Sequence, residues 1–216
     1  MGYNEQQVQD GKLAPELLQW VQEAYKTVAA FQLKCGLSTD GKMGPNTIRA
    51  AEAVRDGRPP VPEQKYLRAV YGDFPYTEAG GGRIRIDENW VHLSIVRCRL
   101  HTGKTVWLHK LVAPEFPALF RRACEESGYT PEQVQTWVPR HTLWDPNRAL
   151  SLHSWGIAVD FDPQRNRMGG TDGKTKGPSM FRKHPEFIKV FTDAGWEWGG
   201  SWPRLKDDMH LQRATL

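Results

Sequence analysis

The chain has no long apolar run, no paired cysteine motif and no low-complexity tract, and each lack removes a class of protein. No stretch approaches the roughly 18 consecutive apolar residues of a membrane-spanning helix, so no membrane insertion is expected. Met1 to Asp10 is polar and lacks the basic-then-apolar pattern of an export signal. The product is therefore expected to be made in, and at first kept in, a cytoplasm. Cysteine is scarce: Cys35, Cys98 and Cys124 are odd in number and widely spaced. Without a C-x-x-C pair a thiolate zinc site is not expected, and buried free thiols are. Charge of one sign is also missing. The net charge is only +4, with basic residues scattered among acids. Short clusters such as Arg121-Arg122 and Arg165-Asn166-Arg167 read as solvated surface, and no nucleic-acid motif accompanies them. The small positive excess suits an anionic partner: wall polymer, outer-membrane surface or nucleic acid.

What is present argues for folded material. Of 216 residues, 39% are hydrophobic and nine are Trp, enough for one large domain or a small and a medium one. Residues 11–55 read as helical. Pro15 suits a first turn, Leu17, Leu18, Val21 and Tyr25 follow at helical spacing, and Val28, Phe31 and Leu33 lead to the stop at Gly36. A tight loop through Asp40-Gly41 precedes Pro45, which opens a last helix through Ile48 and Ala51. Ala30-Phe31-Gln32, Gly36-Leu37, Asp40-Gly41 and Gly44-Pro45-Asn46-Thr47 resemble the small three-helix peptidoglycan-binding domain often fused to wall hydrolases. Read as physics alone, Phe31 and Leu37 are plain core and Asp40-Gly41 a plain turn. The organisation expected is a helical domain over 1–58, a linker over 59–82 holding Pro59-Pro60 and the flexible point Gly80-Gly81-Gly82, and a second domain over 83–216.

Within 83–112 the pattern is β-like. Ile84 and Ile86, then Val91, Leu93 and Ile95, then Val106 and Leu108 alternate with polar residues, with a turn at 101–104. His92, His101 and His109 read as exposed or hydrogen-bonded strand residues. A helix from Pro114 to Gly128 and a final helix from Pro185 to Gly195, with His184 at its start, follow from 3.6-residue periodicity. Residues 164–180 form a long polar loop, either a lid or simply mobile.

The chemistry concentrates in two stretches. In Ser151-Leu152-His153-Ser154-Trp155-Gly156-Ile157-Ala158-Val159-Asp160-Phe161-Asp162, the residues after Gly156 alternate as a strand, with Ala158, Asp160 and Asp162 opposite Ile157, Val159 and Phe161. In Asp207-Asp208-Met209-His210-Leu211-Gln212, His210 can sit on a strand facing a cleft. Together they offer His153, Asp160 and His210. Two imidazoles and a carboxylate, with a fourth position left to water, form the ligand set of a catalytic zinc site. Strand parity puts Asp208 on the face of His210.

Ser-x-His-x-x-Gly-x-Ala-x-Asp followed much later by Asp-x-x-His resembles the zinc peptidases of the D-alanyl-D-alanine carboxypeptidase and phage L-alanyl-D-glutamate endopeptidase group. The likeness covers residues 138–212, and the Trp196–Trp202 run looks like the endolysin branch. The resemblance implies that His153, Asp160 and His210 bind Zn2+ and that Asp207, not Asp208, is the general base. Arg140 is the preferred partner of the scissile carbonyl, with Arg148 the alternative and a surface salt bridge the plain reading of either. Ser151 matches the motif serine, which touches substrate or only orients its loop. Trp198 and Trp202 are candidate substrate walls, although core and cleft packing is their plainer role. The partner of His210 is open, because Gln212 stands where relatives often have Glu.

The fold class expected is α+β: a small three-helix wall-binding domain plus an α+β zinc peptidase domain around a central antiparallel sheet. The function expected is that of a monomeric phage endolysin that cuts peptidoglycan stem peptide, at the L-Ala–D-Glu bond, once a partner pore releases it to the wall. D-Ala-D-Ala carboxypeptidase or endopeptidase activity is the related alternative. A catalytically silent wall-binding virion protein is the alternative of another class, and nucleic-acid binding is not expected.

Overall fold

The computed structural model describes residues 8–9, 12–13, 15–55, 64–169, 179–202 and 205–213. Contacts divide the chain into two compact units, Met1–Tyr66 and Leu67–Leu216. Among the described residues, no helix is long and apolar enough to cross a membrane.

The first unit opens with a short antiparallel pair, β1 (Val8–Gln9) and β2 (Lys12–Leu13). Two helices follow, α1 (Pro15–Lys34) and α2 (Pro45–Arg55), each beginning at the proline expected to start it. Their small core is Cys35, Leu37 and Ala50, with Phe31 packed against it, while Leu33 points to solvent. Buried Gln32 ties the connecting loop down. Its amide nitrogen reaches Asp40 Oδ1 at 2.7 Å, the Lys42 carbonyl at 2.9 Å and Thr47 Oγ1 at 2.9 Å, and its amide oxygen accepts the Gly41 N–H. The third helix, α3 (Gln64–Tyr71), is not a closed member of this unit, because it runs into the second.

The linker expected over 59–82 is linker for only part of that length. Residues 56–63, with the proline run, lie outside the described residues. From Leu67 onward the chain is structural: Leu67, Tyr71 and Phe74 are buried, and the Tyr71 hydroxyl donates to the Arg213 carbonyl at 2.7 Å. The glycine triplet is the turn of a hairpin, β3 (Tyr76–Gly80) against β4 (Arg83–Ile86), rather than a flexible joint.

Val91 and Leu93 are not on a strand; only Ile95 is. Asp87 caps a helix, α4 (Glu88–Ser94), by accepting the Trp90 N–H, and period two gives way to this local stop-and-start signal. A second hairpin follows, β5 (Ile95–Arg99) with β6 (Thr105–His109). Next come α5 (Phe116–Ser127) and β7 (Val134–Gln135), then two 3-10 turns at Thr142–Trp144 and Leu152–Trp155 leading into β8 (Ala158–Phe161). A short helix α6 (Met180–Lys183), then α7 (Pro185–Asp193), β9 (Glu197–Trp198) and β10 (His210–Gln212) complete the unit. The central sheet is antiparallel in the order β7-β8-β10-β9. Phe116, Phe120, Phe161, Phe187, Phe191 and Trp196 form one buried aromatic cluster joining this sheet to α5 and α7. As expected, the three cysteines are free and buried. Of the long 164–180 loop, residues 170–178 lie outside the described residues, whereas Asn166 is buried and bonded to the Phe161 carbonyl.

His109 is the buried joint between α3 and β6. The Leu111 N–H donates to its Nδ1 at 3.3 Å, so its proton sits on Nε2 and is donated to the Tyr71 carbonyl at 3.0 Å. The neutral ring is satisfied at both nitrogens, and a second proton would meet the Leu111 N–H. Burial, reinforced by the Lys110 charge, pushes its pKa down to about 4. A histidine depressed in the fold contributes stability above its unfolded pKa of about 6.5 and loses it as pH falls towards 4. We expect urea unfolding between pH 7 and pH 4 to show about 3 kcal/mol more loss in wild type than in His109→Gln. Equal pH slopes would remove His109 from the acid response.

Candidate metal centre

Two adjacent strands and one turn build the centre. β8 and β10 pair so that Asp160 lies directly opposite His210, with Val159 opposite Leu211. The alternation places Val159 and Leu211 in the core and points the two polar side chains to one side of the sheet. His153 comes from the Leu152–Trp155 turn, which closes on Gly156 at φ +69°. A Cβ at Gly156 would come within 2.9 Å of the His109 backbone nitrogen, so glycine is required both by the backbone conformation and by this approach.

The expected acidic face of β8 is narrower than the sequence alternation implies. Ala158, Val159 and Phe161 are all buried, and the strand ends before Asp162. Asp162 turns inward at φ +42° and accepts bonds from the Tyr129 hydroxyl and the Glu132 and Gln133 N–H groups. It is a structural anchor, and Asp160 alone serves the centre.

His153, Asp160 and His210 converge with one donor atom of each within 4.8 Å of the others. His153 Nε2 lies 3.3 Å from His210 Nδ1 and 3.2 Å from Asp160 Oδ2, and His210 Nδ1 lies 2.9 Å from Asp160 Oδ1. Bonds of about 2.0–2.1 Å at the tetrahedral angle space donors roughly 3.3 Å apart, so the trio matches three corners of a zinc-sized tetrahedron. The outer hydrogen bonds agree. His153 Nδ1 donates to the Thr136 carbonyl at 2.6 Å, and His210 Nε2 donates to Gln212 Oε1 at 2.9 Å. Each neutral ring then turns its lone pair inward, and inward-facing acceptors beside a carboxylate call for a cation. Gln212 is itself fixed by donating to Glu197, whose other oxygen accepts from Trp202 Nε1. Gln212 is therefore the partner of His210 that the sequence left open, and its place two residues along the same strand was the available signal.

Charge is distributed accordingly. Burial alone would raise Asp160, but the two imidazoles hold it far below the usual carboxylate range. Burial pushes His153 down, while for His210 the bond and charge of Asp160 outweigh burial and hold it up.

The two neighbouring aspartates divide sharply. Asp208 is fully buried, gripped by Arg182 through Nε and Nη2 at 2.7 Å each, and takes the Ser179 hydroxyl at 2.6 Å. Asp207 Oδ1 is buried with no hydrogen-bond partner among the described residues. Burial, with the Asp160 charge adding to it, pushes Asp207 up to about 6 against the pull of His210 and Arg140. A Cβ at Gly199 would lie 2.6 Å from the Asp207 carbonyl oxygen and 3.0 Å from its Cβ, so Asp207 is held where only glycine lets it approach. The bend before β10 that strand parity could not supply is this turn, in which the His210 N–H returns to the Asp207 carbonyl.

Residues 144–213 match the family model described as D-alanyl-D-alanine carboxypeptidase. That span holds all three convergent side chains and Asp207, while Thr136 and Arg140 lie ahead of it. Among curated proteins, the chain is 35% identical over 68 residues to the peptidoglycan L-alanyl-D-glutamate endopeptidase CwlK of Bacillus subtilis, a match covering 29% of this chain. The chain spans 38% of that relative's length. No solved structure matches it.

The remaining site residues fall on both sides of the line. Arg140 is half-buried, its charge facing Asp160 and Asp207, with burial lowering its pKa. Arg148 instead points outward into an exposed pair with Asp145, the plain reading foreseen for it. Ser151 is buried at the head of the turn without capping it; Ser154 does the tying there, accepting the Arg140 N–H and donating to its carbonyl at 2.9 Å each. Trp202 lies beside His210, ring centroids 5.4 Å apart. Trp198 is bound back to the Asp208 carbonyl and covered by Arg182.

Three donors from separate segments predict one tight site. Isothermal titration with Zn2+ should give one equivalent per chain, and saturation should raise Tm by roughly 5–10 °C. His153→Ala and His210→Ala should lose both effects, and Asp207→Ala should keep them. Stoichiometric binding surviving in His153→Ala would dismiss this centre.

Proposed function

We propose that the second unit is a zinc peptidase acting on peptidoglycan stem peptide, cutting between L-Ala and D-Glu, and that His153, Asp160 and His210 hold the ion. The observation carrying this reading is Asp207 Oδ1, a buried carboxylate oxygen without a partner among the described residues, beside three converging donors. The match of residues 144–213 and the likeness to CwlK support the reaction class.

When bound, zinc polarises a carbonyl and lowers the pKa of a water to about 7. The residues of the chain supply the rest. Asp207, free of other bonds and already raised, takes a proton at Oδ1 and returns it to the departing amine nitrogen. Arg182 and Ser179 keep Asp208 out of that role. Arg140 offers positive charge to the carbonyl oxygen as it becomes anionic. Trp202 walls the side of His210, and the Gln212–Glu197–Trp202 chain keeps that imidazole from rotating. In this reading Trp198 and Ser151 shape the cleft, and Arg148 has no direct part.

The first unit then serves as the wall-binding module, and the whole chain as a monomeric endolysin released onto the wall, with no nucleic-acid partner. The description of the matched family favours a second reading, removal of D-Ala from stem-peptide ends.

Mass spectrometry of digested sacculi separates the two: new N-terminal D-Glu for the first, free D-Ala for the second. Asp207→Ala should lower the rate about 10²–10⁴-fold while keeping the ion. Chelation should stop wild type and zinc restore it. Wild type that binds walls and zinc yet releases nothing would leave a silent binding protein as the answer.

A further inference from the structure

A groove of about 680 Å³ runs beside the centre, between the β3–β4 hairpin, α4 and residues 137–144. Its polar and aromatic lining is Arg83, Arg85, His92, Trp137 and Trp144, against a single acid, Glu88. The segment that forms its floor also backs the candidate metal ligand His153. The Thr136 carbonyl takes the His153 Nδ1–H, the Val138 N–H donates to the His153 carbonyl, and Trp137, Val138 and Pro139 line the groove. The groove and the centre therefore share a wall.

Trp144, about two-fifths exposed, lines the groove. The Arg83 guanidinium carbon is 5.1 Å from its ring centroid and that of Arg140 is 5.0 Å away. Among the described residues, neither guanidinium is paired with a carboxylate. Arg140 Nη1 donates to the His141 carbonyl at 3.4 Å. Arg140 has the charges of Asp160 and Asp207 to face, whereas Arg83, on the same ring, has no carboxylate beside it among the described residues and is open to an external anion.

The turn presenting Trp144 is strained and tightly held. Leu143 and Trp144 sit at φ +56° and +60°, a pair of left-handed non-glycine residues that pays off only where the chain around it enforces the shape. His141 enforces it. Its Nδ1 meets the Arg148 carbonyl at 2.6 Å, its Nε2 meets Glu78 on β3 at 3.0 Å, and its N–H donates to the Gly82 carbonyl at 2.8 Å.

We propose that Arg83 and Trp144 form a carboxylate-binding subsite that selects peptides carrying a free carboxylate next to the bond cut. This rests on the peptidase reading above. In that substrate D-glutamate has two carboxyl groups. One continues the chain, and the other is the anion that Arg83 takes, in the paired geometry a guanidinium offers and an ammonium does not. Trp144 holds the fork flat and walls the peptide. Arg83 and Trp144 thus determine specificity, whereas Asp207 and Arg140 act on the reacting atoms.

The test uses two acetylated L-Ala–D-Glu–L-Lys peptides with the second glutamate carboxyl free or amidated. Wild type loaded with Zn2+ should favour the free acid. Arg83→Gln should raise KM for the free acid roughly 10–100-fold with kcat little changed, and should raise it far less for the amide. Arg83→Lys should recover part of the loss, and Trp144→Ala should mimic Arg83→Gln more strongly than Trp144→Phe does. Binding of both peptides, followed by calorimetry in the Asp207→Ala background, should show the same discrimination and its loss in Asp207→Ala/Arg83→Gln. Equal effects of Arg83→Gln on both peptides, or none, would overturn the subsite. Wild type that turns over neither peptide would instead count against the peptidase reading, and the binding comparison would still decide the groove.

Discussion

The centre depends on one register. β8 and β10 meet with Asp160 opposite His210, and a slip of one residue would send both side chains to the other face of the sheet. That register is fixed from behind. Val159, Phe161 and Leu211 are completely buried, so any slip would drag apolar side chains out of the core and polar ones in. The polar trio is thus positioned by packing on the far side of the same two strands.

Around that register the structure separates roles by satisfying the polar groups that are not needed for chemistry. His153 and His210 each give their outer proton to a fixed acceptor. Asp208 has a guanidinium and a hydroxyl, and Asp162 has a phenol and two backbone donors. A buried carboxylate oxygen left without a donor among the described residues is costly, so Asp207 Oδ1, beside the converging donors, asks for a chemical explanation. Proton transfer requires an oxygen free to receive, and a saturated carboxylate such as Asp208 could not turn over on the time scale of a reaction without breaking its ion pair.

Much of this was readable from residues alone. The two helices opening at Pro15 and Pro45, α5 stopping at Gly128, α7 starting at Pro185, and the strands carrying Asp160 and His210 all follow from periodicity and punctuation. The errors share a cause. Val91, Leu93 and Ile95 alternate like a strand, yet three residues from the Asp87 cap to Trp90 outweigh that alternation. Asp162 extends the alternation of β8 by one residue, but a left-handed backbone removes it from the strand. The glycines at 80–82 are permissive in sequence and become a fixed hairpin turn only through the pairing of Tyr76 with Ile86. Arg83, Glu197 and Thr136 gave no signal, because their roles come from long-range contacts or from a backbone carbonyl that no side chain marks.

The same logic bears on what the ion does for the fold. In a small metal-folded domain the donors find one another only when the ion is present, and binding energy becomes folding energy. Here the donors stand on a core of Trp155, Ile157, Val159, Phe161 and Leu211, each essentially inaccessible to solvent. Outer hydrogen bonds set both imidazole tautomers, and the Gly156 and Gly199 approaches leave little slack. With both imidazoles neutral the inward-facing acceptors would repel one another, and the packed core holds them together. On the proposed reading, a cation entering the site would relieve that repulsion without reorganising the strands, and its binding energy would go into affinity and the electrostatics of the site rather than into assembling the domain.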